Sequence, residues 1–267
     1  MAETINTNVM SLNSQRHLSS SQADLSQSIE RLSSGLRVNS ARDDAAGLAI
    51  AARMEAQTRG ADVAIRNAND GISLTQTAEG ALNEVGNMLQ RMRELAVQSA
   101  NGTNSSSDRA NLDAEYQALN TEIGRIATST EFNGIAIIDG DAGDQTFQIG
   151  ANKDDTVKVT TVQLTDVGGD ISNVANAEKA LDDIDTKIDT VAENRATYGA
   201  ASSQLSSAIN NLQIMSENTS AARGRIMDAD FAVETANMTR ASILQQAGTA
   251  MVAQANQVPN NVLSLLR

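Results

Sequence analysis

Histidine and cysteine, the side chains most often found at nucleophilic and zinc sites, are nearly missing from this chain of 267 residues. His17 is the single histidine, the one side chain normally poised to exchange a proton near neutral pH. It stands within an amphipathic pattern rich in Ser, Asn and Gln, where a polar position on a helix surface accounts for it. There is no Cys, so thiol catalysis and disulfide bonding are excluded, and one His leaves a zinc site short of ligands. The HExxH arrangement of zinc proteases needs two histidines on one helix face and is absent. Asp43-Asp44 could be pictured as a paired carboxylate for a cation. Two acids at a helix start are equally the residues that stabilise the positive end of its dipole, and that reading is preferred. Neither a Ser-His-Asp set nor a glycine loop for phosphate is available. The expectation is a structural protein with no catalytic, cofactor-binding or metal residues.

With no chemistry to position, the elements themselves carry the reading. Trp is absent, Pro occurs once (Pro259), and Phe and Tyr total five. A chain without aromatics buries long, narrow seams between helices, where Leu, Ile and Ala suffice. Near-absence of Pro lets those helices run uninterrupted. Residues 4–37 show an amphipathic period through Ile5, Val9, Leu12, Leu18, Leu25, Ile29, Leu32 and Leu36. A second helix is expected from about Asp44 to Ala100, with the stripe Ala78, Leu82, Val85, Leu89, Met92 and Ala96. Asn101-Gly102 stops it, and a third helix spans roughly 106–128. Phe132-Asn133-Gly134 and Asp139-Gly140 are turn signals. Gln145–Gly150 and Thr156–Leu164 alternate as a β-hairpin would.

From Val174 to Arg223 one heptad frame holds Leu181, Ile184, Ile188, Val191, Tyr198, Leu205, Ile209 and Leu212, with Arg195 and Ser202 as polar interruptions. Residues 228–266 read as a last helix, with Leu244, Met251, Ala255, Val258 and Val262 on a stripe and Gly248 allowing close approach. The fold class expected is mainly α: a long antiparallel helical bundle or coiled coil with a small β-hairpin in the middle. Each end is too poor in large apolar groups to offset the entropy of ordering a long helix alone, so it needs partners.

Net charge is −13, and its distribution is uneven. Residues 108–193 hold 18 acids against 6 bases, whereas 1–40 and 228–267 are nearly neutral. A nucleic-acid surface would need clustered bases, so that partner is excluded. An acidic, solvated middle and neutral ends suit close packing of the ends against other chains. No run of 18 apolar residues exists, so no membrane span is expected. The N-terminal stretch lacks the basic and apolar regions of a secretory signal.

Several stretches are specific. IERLSSGLRVNSARDDAAGLAIAARM (Ile29–Met54), RNANDGISLTQTAEGALNEV (Arg66–Val85), MRELAVQSAN (Met92–Asn101) and EFNGIAIIDG (Glu131–Gly140) resemble the N-terminal part of bacterial flagellins. ENTSAARGRIMDADFAVE (Glu217–Glu234) and the closing QVPNNVLSLLR (Gln257–Arg267) are similar to their C-terminal part. The resemblance implies a subunit that polymerises into the flagellar filament through its terminal helices. Residues 1–44 and 227–267 would form the inner core, and 45–226 an outer-core bundle with a β-hairpin region at about 130–170. Larger flagellins insert variable domains near 165–175, which this chain joins with Asp166-Val167-Gly168-Gly169-Asp170. The alternative within the superfamily is the hook–filament junction protein, disfavoured by the NVLSLL ending and the MRELAVQSAN segment.

The assembly seam expected on this basis is Ile5, Val9, Leu12, Leu25, Ile29, Leu32, Leu36, Leu244, Met251, Ala255, Val258 and Val262. Further implied partners are the chain itself, hook-associated and cap proteins, and an export chaperone on the C-terminal helix. A vertebrate Toll-like flagellin receptor would be met by Arg91, Leu95 and Glu115. The implied location is extracellular, reached by flagellar type III export without a cleaved signal peptide. Thr128, Ser129, Thr130, Thr160 and Thr161 are candidate glycan acceptors on the same grounds.

Overall fold

The computed structural model describes residues 7–140 and 142–264, with side chains up to residue 257. Among them are five helices and two short antiparallel hairpins: α1 (Val9–Ser34), α2 (Ala45–Ala100), α3 (Ser106–Ser129), β1 (Glu131–Phe132), β2 (Ile135–Ala136), β3 (Asp144–Gln148), β4 (Thr156–Thr160), α4 (Val174–Met227) and α5 (Phe231–Ser264). The expected order of helices and hairpin stands, with boundaries shifted by a few residues. The chain divides into two compact units, Met1–Ala56 with Asn218–Arg267, and Gln57–Glu217. The division falls about three turns later than 44 on α2 and between two and three turns earlier than 227 on α4. Leu48 and Ala51 pack with Val38, Ile226 and Met227, and Arg223 bonds Glu55 at 3.2 Å, which ties these stretches to the terminal unit.

Helix ends follow local chemistry. Asn8 caps α1 by accepting the Ser11 N–H at 3.0 Å, and Gly35, at φ +71, closes it by donating to the Arg31 carbonyl. The reading of 4–37 as helix is corrected at its end, because the left-handed Gly35 turns the backbone into a bridge between Leu36 and Asp228. That bridge likewise delays α5 to Phe231, where Asp230 accepts the Ala232 and Val233 N–H groups. Ser105 and Asp108 form a reciprocal capping box at the start of α3. Asn133-Gly134 supplies two consecutive left-handed residues, φ 52 and 77, as the two-residue turn of β1–β2 requires.

In the Gln57–Glu217 unit, α2, α3 and α4 close a core over the β elements. Ala78, Leu82, Val85, Leu89, Met92 and Ala96 are all fully buried, as are Ile184, Tyr198 and Leu205 of the heptad frame. Strand β4 buries alternate residues, Val157 and Val159, against this core. The 166–172 connector is held by α3: Asn120 accepts the Val167 N–H, Asp113 the Ile171 N–H, and Tyr116 and Gln117 donate to the Gly168 and Gly169 carbonyls. Burial pushes the Tyr116 phenol up to about 12, so it stays a donor through the neutral range.

The caps predict acid sensitivity. Hydrogen bonds from the Ser105 hydroxyl and N–H hold the Asp108 carboxyl below its ordinary 3.8, and Ser40 does the same for Asp43. A carboxyl depressed by folding stabilises the fold above its unfolded value and loses that contribution as pH falls through the folded one. Melting temperature should therefore be flat from about pH 7 to pH 5 and fall below about pH 4. Asp108→Asn should flatten that fall. Circular dichroism melts across this range test it, and an equally steep acid limb in the variant would contradict the assignment.

Candidate assembly site

Helices α1 and α5 pair antiparallel, and the pair is fixed at both ends by polar contacts. The Asn8 amide donates to the Ala255 carbonyl at 2.8 Å and Ser11 Oγ to Asn256 Oδ1 at 2.7 Å. At the opposite end Arg31 Nη1 meets Glu234 Oε1 at 3.0 Å. Glu234 is almost fully buried, in the first turn of α5, with the Arg31 guanidinium as its ion-pair partner.

Between these ends the seam is made of small residues. On α5 the inward row is Glu234, Ala241, Gly248 and Ala255, at seven-residue intervals, with Ala241 and Ala255 each 5% exposed. On α1 the facing residues include Ser11, Ser14, Ser21 and Ser28, with Leu18 and Leu25 between them. A Cβ at Gly248 would stand 3.1 Å from Leu18 Cδ1, so the glycine is what lets the helices close. Seven-residue spacing keeps one face toward the partner, and small side chains shorten the distance between axes.

The most exposed large apolar groups are elsewhere. Val9, Met10, Leu12 and Ile29 on α1, and Phe231, Val233, Ile243, Leu244 and Met251 on α5, are each 50–66% exposed. A shallow, open hollow on α5 is lined by Ala232, Ala236, Thr239, Ile243 and Leu244. Of the expected seam, Leu25, Leu32, Leu36 and Ala255 turn inward and Val9, Leu12, Ile29, Leu244 and Met251 turn outward. Ile5 lies outside the described residues. Val258 lies on α5, as does Val262, but their side chains are outside what is described. The sequence reading reached Gly248 and Ala255 of this row but not Ala241 or the serines of α1, because Ser and Ala leave no hydrophobic period. Its available signal was the seven-residue repeat of small residues itself.

The other candidate residues are placed as follows. His17 is exposed on α1. Asp43 accepts from the Asn39 and Ser40 N–H groups and from Ser40 Oγ, and Asp44 accepts the Gly47 N–H at 2.8 Å. Both acids thus organise the turn before α2. Among the described residues no group of three potential metal ligands converges. Arg91 bridges Glu115 at 2.9 Å and Glu94 at 3.0 Å on an open surface. Leu95, expected as a surface anchor beside them, is 1% exposed in the core: it follows Met92 by three and precedes Ser99 by four on the buried face of α2. That expectation is corrected.

Paired terminal helices with a close polar seam and outward aliphatic faces, joined to a helical bundle without reactive groups, mark a structural helical protein. The bacterial flagellin N-terminal helical region matches residues 5–142, and the bacterial flagellin C-terminal helical region matches residues 181–266. A flagellin of Halalkalibacterium halodurans is 47% identical over 270 residues, covering 98% of this chain and 99% of the relative. A flagellin of Xenorhabdus nematophila is 44% identical with both chains fully covered. Flagellin A of Vibrio anguillarum is 36% identical across 379 aligned positions, well beyond the 267 residues here. The crystal structure of Bacillus cereus flagellin superposes with a TM-score of 0.50 at 35% identity, covering 55% of this chain and 88% of that one.

The chain belongs to the bacterial flagellin family. It is a structural subunit of the flagellar filament, a polymer of copies of itself, and not an enzyme. Among the described residues no helix is long and apolar enough to cross a membrane.

Proposed function

We propose that the chain enters the filament through the outward faces of α1 and α5, each covered there by other copies of the same chain. The carrying observation is the set of nine large apolar side chains on these two helices, each at least half exposed although the helices are already paired with one another. Soluble proteins rarely leave such groups contiguous and uncovered, and a family that polymerises with itself supplies the cover. Residues 1–44 and 227–267 then form the inner core of the filament, and 45–226 its outer core.

The same outward face of α5 suits an export chaperone, which would keep it covered until the chain leaves by the flagellar type III route. Cap and hook-associated proteins meet the polymer at its ends. A Toll-like flagellin receptor would find Arg91 and Glu115 accessible on the Gln57–Glu217 unit, without Leu95.

Leu12→Asp and Ile243→Asp test the assembly faces. Both positions are exposed in the single chain, so its melting should change by no more than about 0.5 kcal/mol. Burying an unpaired carboxylate between subunits costs several kcal/mol, which should raise the critical concentration for polymerisation by ~100-fold or more. Sedimentation of seeded monomer reads it. Ordinary filaments from both variants would refute the proposal.

A further inference from the structure

We infer that Met10 and Met251 are a modification site at which peroxide oxidation of the free subunit blocks its entry into the filament. The inference rests on the outward-face reading above and adds a chemistry that regulates that face.

The chain has no Cys and no Trp, which leaves the methionine thioether as its most readily oxidised side chain. Of its nine methionines, Met10 and Met251 are each 59% exposed and Met215 is 38% exposed. Met92 is fully buried in the bundle core, and Met227 is 8% exposed. Met10 stands among Val9 and Leu12 on α1, and Met251 follows Leu244 by two helical turns on α5. The two most exposed methionines among the described residues thus lie on α1 and α5, beside the apolar side chains of the proposed assembly faces.

With hydrogen peroxide as oxidant, a sulfur lone pair attacks one peroxide oxygen and the O–O bond breaks. An S–O bond forms, the sulfur is oxidised by two electrons, and the second oxygen leaves as water after taking up the proton. One peroxide is consumed and one water released per residue. The product is a polar, chiral sulfoxide in place of a flexible apolar group. On the free subunit, water solvates the new dipole and the fold is unaffected. In a subunit contact between aliphatic faces the dipole has no donor, which raises the critical concentration roughly tenfold per oxidised residue. Once the faces are covered, the sulfurs are protected, so the modification acts before assembly.

The test uses full-length monomer, hydrogen peroxide, peptide mass mapping and seeded polymerisation. Met10 and Met251 should gain one oxygen well before Met92, with the melting curve unchanged and the critical concentration raised tenfold or more. Methionine sulfoxide reductases should restore growth. The Met10→Leu/Met251→Leu double variant keeps an apolar group of similar volume. It should polymerise normally and resist peroxide, whereas Met215→Leu should remain sensitive. Normal growth of wild-type chain oxidised at both positions overturns the inference, as does a double variant as peroxide-sensitive as wild type. If that happens while Leu12→Asp still blocks growth, the redox inference alone fails. If Leu12→Asp filaments also form, the assembly faces themselves are wrong.

Discussion

Leu205→Asp is expected to lower the melting temperature of the monomer by about 10–20 °C, the largest stability effect of any substitution considered for this chain. Leu205 is fully buried in the bundle core, and its Cδ1 lies 2.9 Å from where a Cβ would stand on Gly71, with the Phe147 ring beside it. A shorter side chain there forfeits packing, for which Leu→Ala exchanges in cores cost about 2–5 kcal/mol. A carboxylate adds the cost of a buried, unpaired charge or of its protonation. Together these come to about 5 kcal/mol, and in a domain of this size each kcal/mol moves the midpoint by about 2–4 °C. Gln204→Asp, one residue away on the exposed face, supplies the control and should shift stability by no more than about 0.5 kcal/mol. Equal melting curves for the two variants would mean that the heptad frame of α4 is not what holds the unit.

Gly248→Leu is expected to abolish filament growth while leaving the Gln57–Glu217 unit folded. Even a methyl group at this position would sit 3.1 Å from Leu18 Cδ1 and 3.9 Å from the Leu18 Cα, so a leucine must push α1 and α5 apart. Overpacking of this kind typically costs about 1–3 kcal/mol per site. The damage to assembly is larger, because spreading the pair moves both outward faces in every subunit of the polymer. Ala255→Leu acts at the next position of the same row and should do the same, with the Asn8 amide bond to the Ala255 carbonyl lost as the helices part. His17→Asn on the exposed side of α1 should leave filaments and swimming unchanged. Electron microscopy and swimming assays read all three. Motile cells with ordinary filaments from Gly248→Leu, alongside immotile ones from His17→Asn, would overturn the packing account.

Both substitutions bear on what could be read in advance. Leu205 belongs to a stripe that is apolar in sequence and buried in the fold, and so do Leu82, Val85, Leu89 and Met92 on α2. Where three helices enclose a core, periodicity of large side chains and burial coincide. Gly248 belongs to the other kind. In α1 and α5 the hydrophobic period is real and brings Leu18, Leu25 and Leu32 inward on α1, yet the row they meet on α5 is Ala241, Gly248 and Ala255, whose burial leaves little trace in a hydropathy pattern. Leu95 failed for a related reason. A motif match names a residue as accessible without regard to its helical phase, and its spacing from Met92 and Ser99 puts it in the core.

The sequence by itself determined the five helices and the hairpin through period, caps and turn residues, because those are set by contacts within a few positions. It also excluded thiol chemistry and a zinc site built on paired histidines, since Cys is missing and His17 is the single histidine. The family membership was legible for the same reason, carried by contiguous local stretches. Only the tertiary structure decided which face of α1 meets α5. On α5 two stripes compete, one of large apolar groups and one of small residues, and pattern alone favours the first; on α1 the inward side mixes Leu18, Leu25 and Leu32 with serines. The amide and hydroxyl contacts of Asn8 and Ser11 at one end and the Arg31–Glu234 pair at the other select the second. These contacts join residues more than 200 positions apart, which no local rule can register. Turning Ala241, Gly248 and Ala255 inward leaves Phe231, Val233, Ile243, Leu244 and Met251 of α5 at least half exposed.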